Sequence, residues 1–165
     1  MYRIYRQGAV GALLDEYERA IGELIVCIAD IPDATLVAIA DPATQNPDCR
    51  SIQTVLAHVT NSMYSYAGYV HRHKGHDYTK PDKILHTTIT LFLAAIQDAF
   101  RFTTVVFQDI KDDELERMDS SEKILTNWGQ WYDIEQLMEH AIVHILRHRR
   151  QIERMKNRLN SSSGA

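Results

Sequence analysis

Apolar residues recur at steps of three and four along four long segments of this chain, which constrains its fold more than any other feature. That spacing places side chains on one face of an α-helix. The first segment covers about residues 10–29, the second residues 51–75 and the third residues 81–107. Ser51 is a favourable N-cap and Gly75 a typical C-terminal stop for the second segment. The sequence therefore predicts three amphipathic helices before residue 108.

The fourth segment has the clearest helix start. Asp133 as N-cap and Gln136 three residues later match a capping box, and Tyr132 and Leu137 are placed to form a hydrophobic staple. The periodic pattern then continues to about Arg158. We expect one helix of about 25 residues, roughly 37 Å long.

Four amphipathic helices with few alternating β-type runs predict an all-α fold, an antiparallel or mixed four-helix bundle. A long connection, residues 108–132, separates the third helix from the fourth and ends in NWGQWY. The sequence has no internal repeat, so we expect a single domain over residues 1–160. The tail, residues 161–165, is predicted to be disordered.

Composition narrows the class of protein. The 18 Lys and Arg against 22 Asp and Glu give a formal net charge of −4, which disfavours an extended nucleic-acid surface. Cys27 and Cys49 are too few for a secreted disulfide framework. Acidic residues interrupt the N-terminus before any signal-type run, and no stretch of about 18 uncharged apolar residues occurs. We expect a cytoplasmic protein with no nucleic-acid or membrane partner.

Histidines repeat every four residues in the fourth segment, at His140, His144 and His148. The apolar stripe there places His144 and His148 beside the helix face that points inward, and His58 borders the inward face of the second segment. Side chains four residues apart are close enough for two imidazoles to hold one ion. Three histidines with an open position form a known catalytic metal arrangement. The alternative is that these are ordinary hydrogen-bonded core histidines.

A second group of histidines lies near the end of the second segment and in the loop after it. Its members are His71, His73, His76 and His86. We interpret them as exposed polar residues.

Two motifs resemble the DinB-like/YfiT-like superfamily of bacterial four-helix-bundle metalloenzymes. They are SIQTVLAHV at 51–59 and VHILRHRRQI at 143–152. The family has a Trp-Ser opening to its second helix with a His about seven residues on, and His-x3-His followed by Arg-x-Gln near the C-terminus. Ser51 and His58 match the first element. The second is matched by His144, His148, Arg149 and Gln151, so the resemblance implies a divalent metal, zinc or nickel, on His58, His144 and His148.

The Arg149-x-Gln151 match selects His148 with His144 as the helical pair. His140 and His148 are about 12 Å apart along a helix axis, too far to share an ion at about 2.1 Å from each. His140 is then a bystander, a neighbour that orients a ligand, or part of a pocket wall.

The chain also departs from the family pattern. Arg50 replaces the usual Trp, and Thr54 stands where an acidic capping partner is common. Asn61 and Met63 occupy the turn after His58, where family members place acidic residues. A general base on that turn is therefore missing.

The resemblance implies a metal-dependent enzyme, from a family that includes thiol-dependent transferases and uncharacterised hydrolases, and a homodimer. Because a thiolate held by a metal needs no separate base, these residues favour transfer of a low-molecular-weight thiol to a small electrophile over hydrolysis. The alternatives are a hydrolase and a non-catalytic, stress-related helical binding protein.

Overall fold

The computed structural model describes residues 4–162 of the 165-residue chain. Its elements, in chain order, are the helices α1 (Gly8–Ile28), α2 (Asp33–Val37), α3 (Ile52–His73) and α4 (Ile89–Val106), the strands β1 (Ile124–Leu125) and β2 (Trp131–Tyr132), and the helix α5 (Ile134–Ser162). Short 3-10 turns lie at Pro47–Cys49, Phe107–Asp109, Asp112–Glu114 and Ser120–Glu122. The all-α prediction is confirmed in its main content, with one small antiparallel strand pair added.

The four long helices enclose one apolar core. Helix α1 packs against α5 and α4, and α3 packs against α4 and α5. The largest fully buried side chains come from every long helix, among them Tyr17, Leu24, Leu56, Phe92 and Leu137. These are the apolar positions of the predicted stripes. The contact between α3 and α5 joins the two helices that carry the predicted metal-binding histidines.

The predicted helix starts at Ser51 and Asp133 are confirmed. The Ser51 hydroxyl accepts a hydrogen bond from the Thr54 amide at 3.1 Å, and the Thr54 hydroxyl accepts one from the Ser51 amide at 3.1 Å. Thr54 therefore completes a capping box without the acidic partner that the family pattern has there. At α5, Asp133 Oδ1 accepts from the Gln136 amide at 2.8 Å, and Gln136 Oε1 accepts from the Asp133 amide at 3.2 Å.

The predicted start of the third helix at residue 81 is wrong. Helix α4 begins at Ile89, with Thr88 as its N-cap, and residues 76–86 have no regular structure. Ile84 and Leu85, two apolar residues of the predicted segment 81–107, are 58% and 52% exposed. Without burial of those side chains, helix formation gains no tertiary support over residues 81–88. We call residues 76–88 the strap, because they lie along α3.

The C-terminal helix is longer than predicted, since α5 continues past Arg158 to Ser162. Ser161 and Ser162, expected in a disordered tail, are helical. The rest of that predicted tail, residues 163–165, lies outside the described residues. The predicted long connection before α5 is confirmed, and β1 and β2 form a hairpin within it whose turn places Gly129 at a φ of 83°.

One stretch of the described chain, Ile89–Asp109, is long and apolar enough to cross a membrane by length and composition alone. Core helices of soluble proteins meet the same criterion. Phe92, Ile96 and Ala99 of this helix are fully buried among the other helices. The criterion is therefore weak evidence for a span, and the expected absence of a membrane partner stays a prediction.

Candidate metal centre

Three histidines from two helices converge, two of them half-buried and the third buried. His58 lies on α3, and His144 and His148 lie one turn apart on α5. One ring nitrogen from each lies within 4.8 Å of the other two. Ligand atoms about 2.1 Å from a shared zinc-like ion fall within that spacing. The three predicted residues are thus brought together in an arrangement that could bind a metal.

The atoms nearest each ring nitrogen indicate which nitrogens face the common point. Nε2 of His58 and Nε2 of His144 are 3.0 Å apart. The second nitrogen of His58, Nδ1, lies 3.4 Å from Asp48 Oδ2. His148 Nδ1 lies 2.8 Å from Oε1 of Gln151, which leaves its Nε2 for the cluster. Partners on the outer nitrogens hold the rings in the orientation that metal-binding histidines commonly have.

The ring nitrogens of the three histidines are suited to bind a metal ion. With Nδ1–H of His58 and His148 directed at oxygen acceptors, their Nε2 atoms carry lone pairs into the cluster. Nδ1 of His144 is buried and has no hydrogen-bond partner within the described part of the chain. With its proton on that Nδ1, His144 also presents a lone pair at Nε2, and converging lone pairs repel one another unless a cation lies between them. A shared divalent ion would satisfy the three Nε2 lone pairs together.

All three imidazoles are held in the neutral form that metal binding requires. Burial is the main cause, and nearby histidines add to it, so the pKa of His144 falls to about 2. Burial lowers the pKa of His148 to about 4, although the bond to Gln151 opposes the shift. The pKa of His58 is also lowered by burial, and Asp48 partly offsets this. At neutral pH the ring nitrogens are therefore available as ligands.

Asp48 is a site residue that the sequence analysis missed. It lies in the 3-10 turn Pro47–Cys49, and its other oxygen pairs with Lys83 of the strap at 2.6 Å. Because Asp48 precedes His58 by ten residues and belongs to another element, helical spacing does not connect them. The Asn46-Pro47-Asp48 turn signal was the available clue, and Asn46 Oδ1 does accept from the Asp48 amide.

A cleft of about 390 Å³ opens beside the cluster. His58 and His144 line it, whereas His148 does not and is only 4% exposed. The remaining lining residues are Asn61, Ser62, Ser65, Tyr66, Lys80, Asn127, Trp128, Gln130 and His140. One side of the cluster is closed by the core, and the other side meets a cleft lined by polar and aromatic side chains.

His140 belongs to the cleft wall, which was one of the three roles left open for it. Its ring stacks on Trp128 at a centroid distance of 5.6 Å and lies 6.4 Å from the ring of His144. Its Nδ1 lies 3.3 Å from the Tyr132 hydroxyl. Trp128, from the NWGQWY stretch that ends the long connection, thus supplies part of the same wall.

The remaining residues of the second motif, and the two residues that replace acidic residues of the family pattern, have different neighbours. Gln151 contacts His148, whereas Arg149 pairs with Glu23 and ties α5 to α1. Asn61 faces the cleft, but Met63 is 1% exposed and belongs to the core.

The second histidine group lies apart from the cluster. His71 stacks on His76 at 4.6 Å, His73 and His76 are exposed, and His71 and His86 are half-buried. The interpretation of this group as exposed residues therefore holds for two of its four members.

Comparison with models of known protein families, with curated proteins and with solved structures returned no match.

Proposed function

We propose that this protein is a metal-dependent enzyme that binds one divalent ion, zinc or nickel, through His58, His144 and His148. The observation that carries the proposal is the cleft that opens on one side of the cluster and is lined by two of the three histidines. A structural metal site is closed by protein ligands, whereas a catalytic site keeps a position open to substrate. A three-histidine cluster that opens to a cleft on one side corresponds to the second arrangement.

We also propose that the fold is the four-helix bundle of the DinB-like/YfiT-like superfamily. Support comes from the helix order and from the two motifs, whose histidines converge. The helix pairs α1–α5, α3–α4 and α3–α5 are in contact, as such a bundle requires. The first motif lies on α3 rather than on the second helix of the chain, because the five-residue α2 precedes it.

The proposed reaction is transfer of a low-molecular-weight thiol to a small electrophile. A divalent ion held by neutral imidazoles would lower the pKa of a thiol that approaches it from the cleft. The cleft lining contains no carboxylate within the described residues, and Asp48 is engaged with His58 and Lys83. Hydrolysis calls for a base to activate water, whereas an ionised thiol is already a nucleophile. The lining therefore favours thiol transfer.

A hydrolase is the second candidate, and one observation favours it. His140 lies in the cleft wall beside His144, with Nδ1 near the Tyr132 hydroxyl. An imidazole so placed could accept a proton from water. The substrate would again be a small molecule, because the cleft is about 390 Å³.

The test begins with metal analysis of protein purified without an affinity-column metal. Thiol conjugation to a reactive electrophile is then measured for zinc-loaded and nickel-loaded wild type and for His144→Ala. We expect conjugation that depends on the metal and on His144. His73→Ala is the control, because His73 is exposed near the end of α3 and away from the cleft. Equal rates in wild type and His144→Ala would support the non-catalytic binding protein instead.

The proposal places the enzyme in the cytoplasm as a homodimer without nucleic-acid or membrane partners. Support for a dimer comes from the large apolar side chains that remain exposed, including Val26, Val105, Trp131 and Val143. Light scattering at micromolar concentration tests it, and a mass of 19.0 kDa would show a monomer.

A further inference from the structure

We propose that the cleft beside the histidine cluster recognises a small molecule through a carboxylate group, which pairs with Lys80 at the rim. This inference deepens the proposed function, on which it rests for placing the reacting group near the histidines. The carboxylate subsite itself is built from the protein alone and can be tested without a metal.

The first argument is the charge of the cleft. Its lining offers hydroxyls, amides, imidazoles and aromatic rings, with one lysine, and no Asp or Glu among the described residues. The protein as a whole carries more acidic than basic residues, with a formal net charge of −4. A cleft without carboxylates on an acidic protein has a local potential that favours an anionic ligand.

The second argument is the pairing of Lys80. Its ammonium donates a hydrogen bond to Oδ1 of Asn61 at 2.9 Å, a neutral acceptor. Four of the other five lysines pair with acidic residues: Lys74 with Glu114, Lys83 with Asp48, Lys123 with Asp133 and Lys156 with Asp30. Within residues 4–162, Lys80 has no such ion pair. Its exposed ammonium lies in the cleft lining and is available to pair with an anionic group.

The third argument is that the backbone of the strap is fixed on both sides of Lys80. On one side, Tyr78 packs over Gly68 of α3, and its hydroxyl donates to the Tyr64 carbonyl at 3.0 Å. On the other side, the side-chain amide of Asn61 donates from Nδ2 to the Pro81 carbonyl at 3.1 Å. The strap is therefore anchored before and after Lys80, which lowers the entropy that the site loses on binding.

The residues opposite Lys80 define the rest of the ligand. Trp128 and His140 stack with their planes 26° apart, and Tyr66 meets both rings edge-on or tilted. Aromatic walls favour a flat group on the ligand. The lining holds a single lysine and no arginine, whereas phosphate sites are typically built with guanidinium forks or several donors. The geometry therefore fits a monocarboxylate that carries a planar group.

The experiment compares benzoylglycine with its primary amide, which has the same ring and chain without the charge. Binding of each is measured by calorimetry on zinc-loaded protein and on chelated protein. The measurement on chelated protein decides between the two explanations, because in zinc-loaded protein a carboxylate can also bind the metal directly. We expect the acid to bind about 10-fold more tightly than the amide in both forms.

The variant Lys80→Gln should bring the acid and the amide to equal affinity in chelated protein. The control Lys111→Gln removes an exposed lysine outside the cleft and should keep the preference. Equal affinities in wild type, no measurable binding of either compound, or a preference that survives Lys80→Gln would overturn the proposal. Purified protein without bound metal, or metal-loaded protein without thiol transfer, would instead contradict the proposed function. The affinities measured on chelated protein would still test the carboxylate proposal.

Discussion

The carboxylate of Asp48 lies 3.4 Å from Nδ1 of His58, although the two residues belong to different elements. The contact directs Nε2 of His58 at His144, 3.0 Å away. Lys83 of the strap holds the other oxygen of Asp48 at 2.6 Å. A carboxylate behind a metal-binding imidazole fixes its tautomer and raises its basicity. This pair connects the loop before α3 to the histidine cluster that could hold a metal.

Asp48→Asn should weaken metal binding without abolishing it. An amide can still accept from Nδ1–H of His58 but carries no charge, and loss of such a partner typically costs about 10–100-fold in metal affinity. Competition with a chromophoric chelator measures the affinity. Asp77→Asn removes an exposed carboxylate near the start of the strap and should have no effect. Unchanged affinity in Asp48→Asn would show that Asp48 only pairs with Lys83.

His148→Ala should abolish stoichiometric metal binding, whereas His140→Ala should leave it largely intact. His148 is one of three residues whose ring nitrogens lie within 4.8 Å of one another, and His140 is outside that group. Elemental analysis of the purified variants after loading and desalting gives the metal content. If metal binding were lost in His140→Ala and retained in His148→Ala, the metal site would lie one helical turn nearer the start of α5.

Removal of the metal should leave the fold intact. The core is formed by apolar side chains from all four long helices, and it does not depend on an ion as a zinc finger does. We expect helical circular dichroism at room temperature to be nearly unchanged after chelation. The melting temperature should fall, because a ligand that binds only the folded state adds stability by mass action. Complete loss of helicity on chelation would contradict this.

Metal-free protein should lose stability as the pH falls below about 6.5. Burial lowers the pKa of His148 to about 4 and that of His144 to about 2, whereas both titrate near 6.5 in an unfolded chain. Below pH 6.5 the unfolded state therefore binds more protons than the folded state. The stabilising contribution is full above pH 6.5 and is lost progressively down to about pH 4 for His148 and about pH 2 for His144. We expect the free energy of unfolding to fall by as much as about 1.4 kcal/mol per pH unit for each histidine.

Urea titrations between about pH 5 and 6.5 measure that slope, in a range above most carboxyl pKa values. A double variant, His144→Gln with His148→Gln, should show a shallower slope than wild type. His73→Ala, which removes an exposed histidine, should keep the wild-type slope. Identical slopes in all three proteins would mean that the buried histidines do not set the pH dependence.

Gly68→Ala should destabilise the protein by about 1–3 kcal/mol and displace the strap. A Cβ at Gly68 would overlap the ring of Tyr78, which lies directly on the glycine. Gly22→Ala is the matched control, because it also lies inside a helix but has no atom within 4 Å of its added Cβ. That substitution should be neutral or stabilising by up to about 1 kcal/mol. Denaturant unfolding gives the free energy of unfolding of both variants. Equal free energies for Gly68→Ala and Gly22→Ala would rule out the contact between Tyr78 and Gly68.

Local patterns in the sequence determined the four long helices and the starts of α3 and α5. The apolar stripes match the buried residues, and the capping residues Ser51, Asp133 and Gln136 make the hydrogen bonds that their spacing predicts. These features depend on residues three or four apart, so the chain encodes them within one turn. The same reasoning failed at residues 81–88, where apolar spacing was present but no partner surface covers Ile84 and Leu85.

The motifs in the sequence also indicated which histidines to consider, but only the packing of α3 on α5 brings His58 to His144. Asp48, Lys83 and Lys80 had no signal of this kind. Each reaches its neighbour across at least 10 residues, through a turn or strap whose path depends on tertiary contacts such as Tyr78 on Gly68. Periodicity describes which face of a helix is buried. Where a loop residue meets that face is decided by long-range packing, which no local pattern records.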